Sequence, residues 1–394
     1  MSFRPGRPLA MSLDVSAVPA RMAGAGRYIA QLARCLAKRP DVALSLLARA
    51  DDAPRWEGVE GVASVVAAAP GSRPLRLAWE QASLPRRLKK LGVELHHSPH
   101  YTMPDTSAVA RVVTFHDTTV FDHPEWHERS KVLLFRHAMK VAAKEADALV
   151  CVSRSTADRV RDLLPTKVPL HVVHHGVDHD TFRPDEEVSG SDKAILAGLG
   201  VHKPYVAFVG TVEPRKDVVG LVRAFDRIAS AHESLSLVVA GVEGWAENQL
   251  ARAIGEARHG DRILRVGYLP HGSVAPLFRG ASAVSYPSLE EGFGLPVLEA
   301  LACGAPVVTT TGSAMEEFAK GAALLVPPKD EYSLAGALDM LVRGDSALAN
   351  RRRRGLELAA GFTWEASAEG HMAAYRDAMD HFGDRAGQAK KGRI

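Results

Sequence analysis

Thirteen short runs rich in β-branched and small apolar residues punctuate this chain, and stretches with helical spacing lie between many of them. That alternation restricts the fold more than any other feature. Strand–helix–strand order closes as a parallel sheet covered by helices on both faces. The first series of expected strands is 9–14, 43–47, 62–66, 94–97, 111–115, 148–152 and 171–173, with helices at 26–37, 130–146 and 155–164. The pattern breaks at 183–192, a polar stretch with Pro and Gly that reads as a linker followed by a short helix. A second series follows at 205–209, 235–240, 262–266, 283–286, 306–309 and 323–326, with helices at 218–231, 274–278 and 296–302. The chain is therefore expected to be α/β, with two doubly wound, Rossmann-like parallel-sheet domains. The expected divisions are 1–182, 183–362 and a closing segment 363–394, a helix to about Phe382 and then a polar, frayed tail 384–394. Ligands of such sheets bind at the carboxyl ends of the strands, and with two domains the cleft between them is the default site.

A length of 394 residues suits two domains. No apolar run approaches the ~18–20 residues of a membrane span, and no apolar stretch follows the charged N-terminus as in a secretory signal. Cys35, Cys151 and Cys303 are far apart and lie in apolar sequence. They suit reduced residues of a cytoplasmic protein rather than a disulfide or metal framework. The net charge of +3 is too small to point to nucleic acid. It conceals an asymmetry. Residues 1–182 carry 25 Lys and Arg against 19 Asp and Glu, a balance of +6, while 183–394 carry 24 against 27, a balance of −3. A basic first half suits an anionic partner or ordinary surface scatter. The segment from Trp79 to Leu91 sharpens the choice, with Leu84, Leu88 and Leu91 at helical spacing and Arg86, Arg87, Lys89 and Lys90 between them. It fits a helix lying peripherally on anionic lipid, or, as the primary expectation, one packing its leucines onto a sheet. The Arg351–Arg354 run is expected to be a solvated helix face.

Two segments carry chemistry. After the strand ending at Tyr286 comes Ser288-Leu289-Glu290-Glu291-Gly292-Phe293-Gly294-Leu295-Pro296, running into Glu299 and Cys303-Gly304. Gly292 and Gly294 allow close approach of the backbone to a ligand, and Pro296 suits a first helical turn. The amides and dipole of that helix end suit a phosphate. Glu291 and Glu299 flank the loop, where carboxylates serve to accept hydrogen bonds from hydroxyls. Together they suggest a nucleotide-sugar. The second segment, Gly210-Thr211-Val212-Glu213-Pro214-Arg215-Lys216-Asp217, puts two cations after a strand, where they can neutralise a diphosphate.

With these segments in place, the sequence resembles the family-4 glycosyltransferases, retaining enzymes of GT-B architecture. Their hallmark is two glutamates separated by seven residues, as Glu291 and Glu299 are. The likeness covers most of the chain. It includes Gly24-Ala25-Gly26-Arg27-Tyr28, Thr114-Phe115-His116-Asp117, Cys151-Val152-Ser153-Arg154-Ser155, His175-Gly176-Val177-Asp178 and Phe362-Thr363-Trp364. The E-P-R-K, H-D and G-x-G-R-Y segments are similar to those of bacterial O-antigen and exopolysaccharide mannosyltransferases. The resemblance implies an acceptor-side first domain, a donor-binding second domain and a C-terminal helix crossing back to the first. Glu299 would hold the ribose diol and Glu291 the donor sugar's hydroxyls. Arg215 and Lys216 would stabilise the leaving diphosphate, with the strand-end Gly210 and Thr211 beside it. The amides of Gly292, Phe293, Gly294 and Leu295 would line the phosphates and sugar, and His116 would reach the transferred sugar. Gly24 and Gly26 would let a loop close over the diphosphate, and the loop at Tyr268-Leu269-Pro270 would hold the base.

The implied reaction moves a hexose, mannose from GDP-mannose as first choice, to a saccharide or lipid-linked oligosaccharide hydroxyl. No cofactor or metal is expected. Thr211 stands where many members have Arg, so Arg215 is expected to supply that charge. Asp217 and His175 replace the usual asparagines. A sugar-nucleotide epimerase and a non-catalytic nucleotide-sugar-binding protein are the alternatives. Three other motifs carry less. Ile29 stands where G-x-G-x-x-G needs its last glycine, Asp178-His179-Asp180 spells a metal-binding D-x-D by coincidence, and His96-His97-Ser98-Pro99-His100 lacks a further ligand for zinc.

Overall fold

The computed structural model describes residues 6–20, 22, 24–184, 190–344 and 346–391. The chain divides into two compact units. One is residues 1–176 with 364–394, and the other is 177–363.

The first unit holds seven parallel strands, β1 (Leu9–Asp14), β2 (Val42–Arg49), β3 (Ser64–Ala69), β4 (Leu95–Ser98), β5 (Ala110–Phe115), β6 (Ala148–Cys151) and β7 (Leu170–Val172). Their order is β3-β2-β1-β4-β5-β6-β7. The second holds six parallel strands, β8 (Tyr205–Val209), β9 (Ser236–Ala240), β10 (Ile263–Gly267), β11 (Ala283–Tyr286), β12 (Val307–Thr310) and β13 (Leu324–Val326), ordered β10-β9-β8-β11-β12-β13. All thirteen expected strands form, shifted by at most three residues at an end. Central strands are covered on both faces, and all six residues of β5 are buried. In each sheet the direction of winding reverses once, between β1 and β4 and between β8 and β11. Those two reversals open crevices at the carboxyl strand ends.

The division falls at 176/177 rather than after 182. The reason is local pairing: Val177 bridges Thr363, and its N–H donates to the Phe362 carbonyl at 3.0 Å. Of the expected linker, Asp185 to Ser189 lie outside the described residues, and Gly190–Gly198 is a helix. The tail also differs from expectation, because the C-terminal helix runs Trp364–Lys391, and only 392–394 lie outside the described residues. Arg385 holds its last turns, donating to the Glu145 carbonyl at 2.8 Å and lying 3.5 Å from the fully buried Asp147. The Leu84–Leu91 helix sends Leu84 and Leu88 into a cluster with Leu47, Trp79 and Val109. Its apolar stripe therefore faces the protein, and Arg86, Arg87, Lys89 and Lys90 are exposed. Arg352, Arg353 and Arg354 are exposed on the Leu348–Ala360 helix, with Arg351 half-buried.

A buried polar chain ties the C-terminal helix to the first sheet. His371 Nδ1 lies 2.7 Å from the Ser367 carbonyl and must donate to it, so Nε2 accepts from Tyr28 OH at 2.8 Å. Tyr28 oxygen then accepts from Thr114 at 2.9 Å, Thr114 accepts from His97 Nε2 at 2.8 Å, and His97 Nδ1 accepts from Tyr375 OH at 2.8 Å. Every proton position is dictated, and every ring is neutral. Burial holds all these histidines below their ordinary value, His371 at about 4 and His97 well below. His96 and His100 are pulled to about 3, and His116 and His175 are also lowered. The unfolded chain, with histidines near ~6.5, therefore binds more protons below that pH, so the stability present above it is lost as pH falls toward 4. Each histidine contributes a slope of about 1.4 kcal/mol per pH unit. The urea midpoint should fall steeply between pH 6.5 and 4.5, with several protons taken up per unfolding event. A limb no steeper than one proton would show that the cluster titrates in the folded state.

Candidate active site

The β8–β11 reversal brings the two predicted segments together. After β8, Gly210 to Glu213 lead into a single 3-10 turn, Pro214–Lys216. Asp217 adopts a left-handed conformation with φ 48° and caps the next helix, accepting from the Gly220 N–H at 3.2 Å. Asn and Asp tolerate that conformation best, so the exchange of Asn for Asp keeps the cap. Burial lifts the Asp217 carboxyl to about 6. The end of β9 tightens the same loop. Gly241, at φ 143°, lies so close that a Cβ there would sit 1.9 Å from the Gly210 carbonyl. Its N–H donates to the Gly267 carbonyl at 2.7 Å, placing Tyr268 and Leu269 at the same end of the sheet. Tyr268 is exposed, and Leu269 is buried.

After β11, residues 287–293 lead to the Leu295–Ala302 helix, with Gly294 as N-cap at φ 97°. A Cβ on Gly294 would meet the Met315 side chain at 2.5 Å, so both conformation and space demand glycine. Phe293 between the two glycines is an anchor. Its ring is buried, stacked on Phe318 at 5.2 Å and beside Phe362 at 6.1 Å. Leu295 is buried at the first helical position. The first amides of a helix lack carbonyls within it, which gives this turn its affinity for anions. Glu299 lies in the second turn, only 4% exposed.

One carboxylate knots the two loops. Glu291 Oε1 pairs with Lys216 Nζ and accepts from Ser288 Oγ at 2.7 Å and Tyr286 OH at 3.2 Å. Its Oε2 lies 2.9 Å from Arg215, which also pairs with Glu213 at 2.9 Å. The Arg215 carbonyl joins in, accepting from the Leu289 N–H at 2.7 Å and lying 3.1 Å from Ser288 Oγ. Burial alone would raise the Glu291 carboxyl, yet Arg215, Lys216 and their hydrogen bonds hold it at about 2. Burial and neighbouring Arg215 pull the Lys216 ammonium down to about 8, against the attraction of Glu291. The ammonium also lies 4.8 Å from the centre of the Tyr286 ring.

The predicted cations are thus gathered, and Glu291 holds both of them in place. Tyr286 and Ser288 were missed by sequence reasoning. Their only signal is position, at the strand end and two residues beyond. Thr211 is half-buried beside this knot, and Gly210 N–H donates to the Ala240 carbonyl at 2.9 Å. Gly24 and Gly26 depart from expectation, since they form the first turn of the Gly24–Ala37 helix rather than a loop. Met22 and Pro19 pack 3.4–3.6 Å from where a Gly26 Cβ would be, so its small size serves packing. His116 sits at the end of β5 in the first unit, its Nε2–H donating to the Pro99 carbonyl at 2.8 Å. Asp178 of the D-x-D accepts from Thr181 Oγ1 at 2.8 Å and lies 3.4 Å from His271, so its carboxylate closes a turn. Among the described residues no three His, Cys, Asp or Glu are grouped to hold a metal, and no helix is long and apolar enough to cross a membrane.

Residues 22–181 match the model of Glycosyltransferase Family 4, and residues 197–357 match that of Glycosyl transferases group 1. An O-antigen chain mannosyltransferase B of Escherichia coli is 28% identical over 77% of both chains. A D-inositol 3-phosphate glycosyltransferase of Mycolicibacterium paratuberculosis is 35% identical over 60% of this chain, a match spanning only 54% of that relative. Among solved structures, sucrose-phosphate synthase from Thermosynechococcus elongatus superposes with a TM-score of 0.75 at 20% identity, covering 93% of this chain and 98% of that one. Anabaena HepE in complex with UDP-glucose gives 0.73 at 17% identity, covering 92% and 97%. Two matched halves, two parallel sheets with their reversals and a C-terminal helix returned to the first unit lead to one conclusion: the chain belongs to the family-4 glycosyltransferases of GT-B fold.

Proposed function

We propose that the chain is a retaining hexosyltransferase that takes mannose from GDP-mannose and passes it to a hydroxyl of a saccharide or lipid-linked oligosaccharide. The observation that carries this reading is the pair Lys216–Arg215 held on Glu291 beside a glycine-capped helix start. Two fixed cations and a helix end form a preorganised environment for charge building on a departing diphosphate. The glycosidic C–O bond to the nucleoside diphosphate breaks, and the acceptor oxygen bonds to the anomeric carbon on the same face. The departing phosphate takes the acceptor's proton, so no strong side-chain base is required. Glu299 holds the ribose diol, Glu291 and His116 orient the sugar, and the Tyr268–Leu269 loop meets the base. The choice of mannose is supported by the likeness to the E. coli mannosyltransferase. An anionic lipid-linked acceptor suits the +6 balance of residues 1–182.

The charge on Lys216 governs the pH profile. With an ammonium at about 8, kcat/KM should fall above pH 8 by about tenfold per unit. Lys216→Ala should lower kcat/KM at pH 7 by about 100-fold or more. A profile flat to pH 9.5, or near-normal turnover in the variant, would remove Lys216 from the mechanism.

Glu299→Ala should raise the donor KM with a smaller effect on kcat, and an unchanged donor KM would remove the ribose assignment. A thermal-shift screen of GDP, UDP, dTDP and ADP should show GDP stabilising most. Greater stabilisation by another nucleotide would reassign the donor. Incubation with donor alone separates the rivals, since an epimerase converts it without acceptor and a transferase only hydrolyses it slowly.

A further inference from the structure

The loop after β9, residues 241–246, is laced to the loop after β8 on one side and to β10 and its loop on the other. Gly210 N–H donates to the Ala240 carbonyl at 2.9 Å, Val212 N–H to the Val242 carbonyl at 3.1 Å, and Ala246 N–H to the Val212 carbonyl at 3.2 Å. On the other side the Gly241 N–H reaches the Gly267 carbonyl, and Arg265 of β10 pairs with Glu247. The approach is so close that a Cβ on Gly244 would lie 2.1 Å from the Val212 carbonyl oxygen. Trp245 stands between Gly244 and Ala246, so the backbone on both sides of it is held against Val212.

The Trp245 side chain is nevertheless 57% exposed. The other tryptophans differ. Trp56, Trp79 and Trp364 are buried, and Trp126 is half-buried with its ring stacked on His123 at 3.8 Å. An indole has a large flat apolar face, and fixing it in water forgoes the burial that most tryptophans gain. Location gives this exposure a use. The loop stands at the carboxyl end of a parallel sheet, where ligands of this architecture bind, and β9 is next to β8 of the β8–β11 reversal. Tyr268, 40% exposed, follows the next strand out, β10. Two exposed aromatic side chains thus follow adjacent strands on the side of β8 away from β11.

We propose that Trp245 stacks on the nucleobase of the donor and favours a purine there. The inference rests on the nucleotide-sugar reading of this unit and adds a specificity-determining residue outside the Tyr268–Leu269 loop. Order along the ligand supports it. The parts of a nucleotide-sugar run base, ribose, diphosphate, hexose. With the diphosphate at Arg215 and Lys216 and the hexose at Glu291 after β11, the base is directed to the other side of β8. Neighbouring strands lie about 4.8 Å apart, so the ends of β9 and β10 are one and two such steps from β8. That is within reach of a nucleoside whose phosphates meet the turn after β8. The chemistry of the side chain supports it too. Every base has a π-face, so an aromatic ring can stack on any of them, and the gain grows with the area covered. A two-ring base covers more of an indole than a one-ring base does.

The test is titration of the full chain with GDP, ADP, UDP and dTDP, read by tryptophan fluorescence and by calorimetry. GDP should quench the fluorescence of wild-type protein with the same Kd that calorimetry gives. Trp245→Phe should abolish the quenching and keep GDP binding within about threefold, because a smaller ring still stacks. Trp245→Ala should weaken GDP about tenfold and UDP about threefold, narrowing the preference for the purine. Its Tm should not fall, because the ring it removes is exposed. Quenching that survives in Trp245→Phe, an equal GDP Kd in wild type and Trp245→Ala, or equal losses for GDP and UDP would overturn the proposal. Nucleotide binding that ignores Trp245 leaves the nucleotide-sugar reading standing. Absence of binding by all four nucleotides in wild-type protein removes that reading and the stack with it, so the two failures are distinguishable.

Discussion

The strand-end loops of the second unit depend on one carboxylate. Glu291 accepts from or pairs with Lys216, Arg215, Ser288 and Tyr286, groups supplied by two loops that follow two different strands. The buried Lys216 and the half-buried Arg215 carry like charges that repel, and burial costs them hydration. A shared carboxylate with further hydrogen bonds offsets that cost. The arrangement fixes both cations before any ligand arrives. Charges oriented in advance are the condition under which electrostatic stabilisation accelerates a reaction.

The first unit solves a different problem. Its C-terminal helix comes from the far end of the sequence and docks on β5 and β6. Apolar packing would hold it there without fixing its rotation. The chain Tyr375–His97–Thr114–Tyr28–His371–Ser367 fixes it, because each hydrogen can point only one way. A fully satisfied polar network specifies register more sharply than apolar contact, and the same network makes the unit sensitive to acid.

Much of this was legible in the sequence. The strands were readable because parallel sheets bury both faces and their strands become near-continuous apolar runs. The loops after β8 and β11 were readable because glycine, proline and charge at a strand end have few structural explanations. The buried network was not. His96, His97 and His100 look alike in sequence, yet His97 joins the hydrogen-bonded chain, His96 meets Ser12 at 2.9 Å and His100 stacks on Phe135. The role of Glu291 was legible only in part, since spacing identified it as a site residue without showing that its oxygens already hold two cations.

The sequence by itself determined the fold class, the two strand series and the pairing of a cationic turn with a glycine-capped helix start. These are local properties, set by periodicity, backbone conformation and charge within a few residues. Tertiary structure decided what those residues do to one another. It joined Lys216 to Glu291 across 75 positions, turned Leu84 and Leu88 inward, carried helix to Lys391 and laced the loop after β9 to the loop after β8. Such contacts depend on the order of strands in a sheet. That order is selected by how whole faces bury, which no short stretch of sequence encodes.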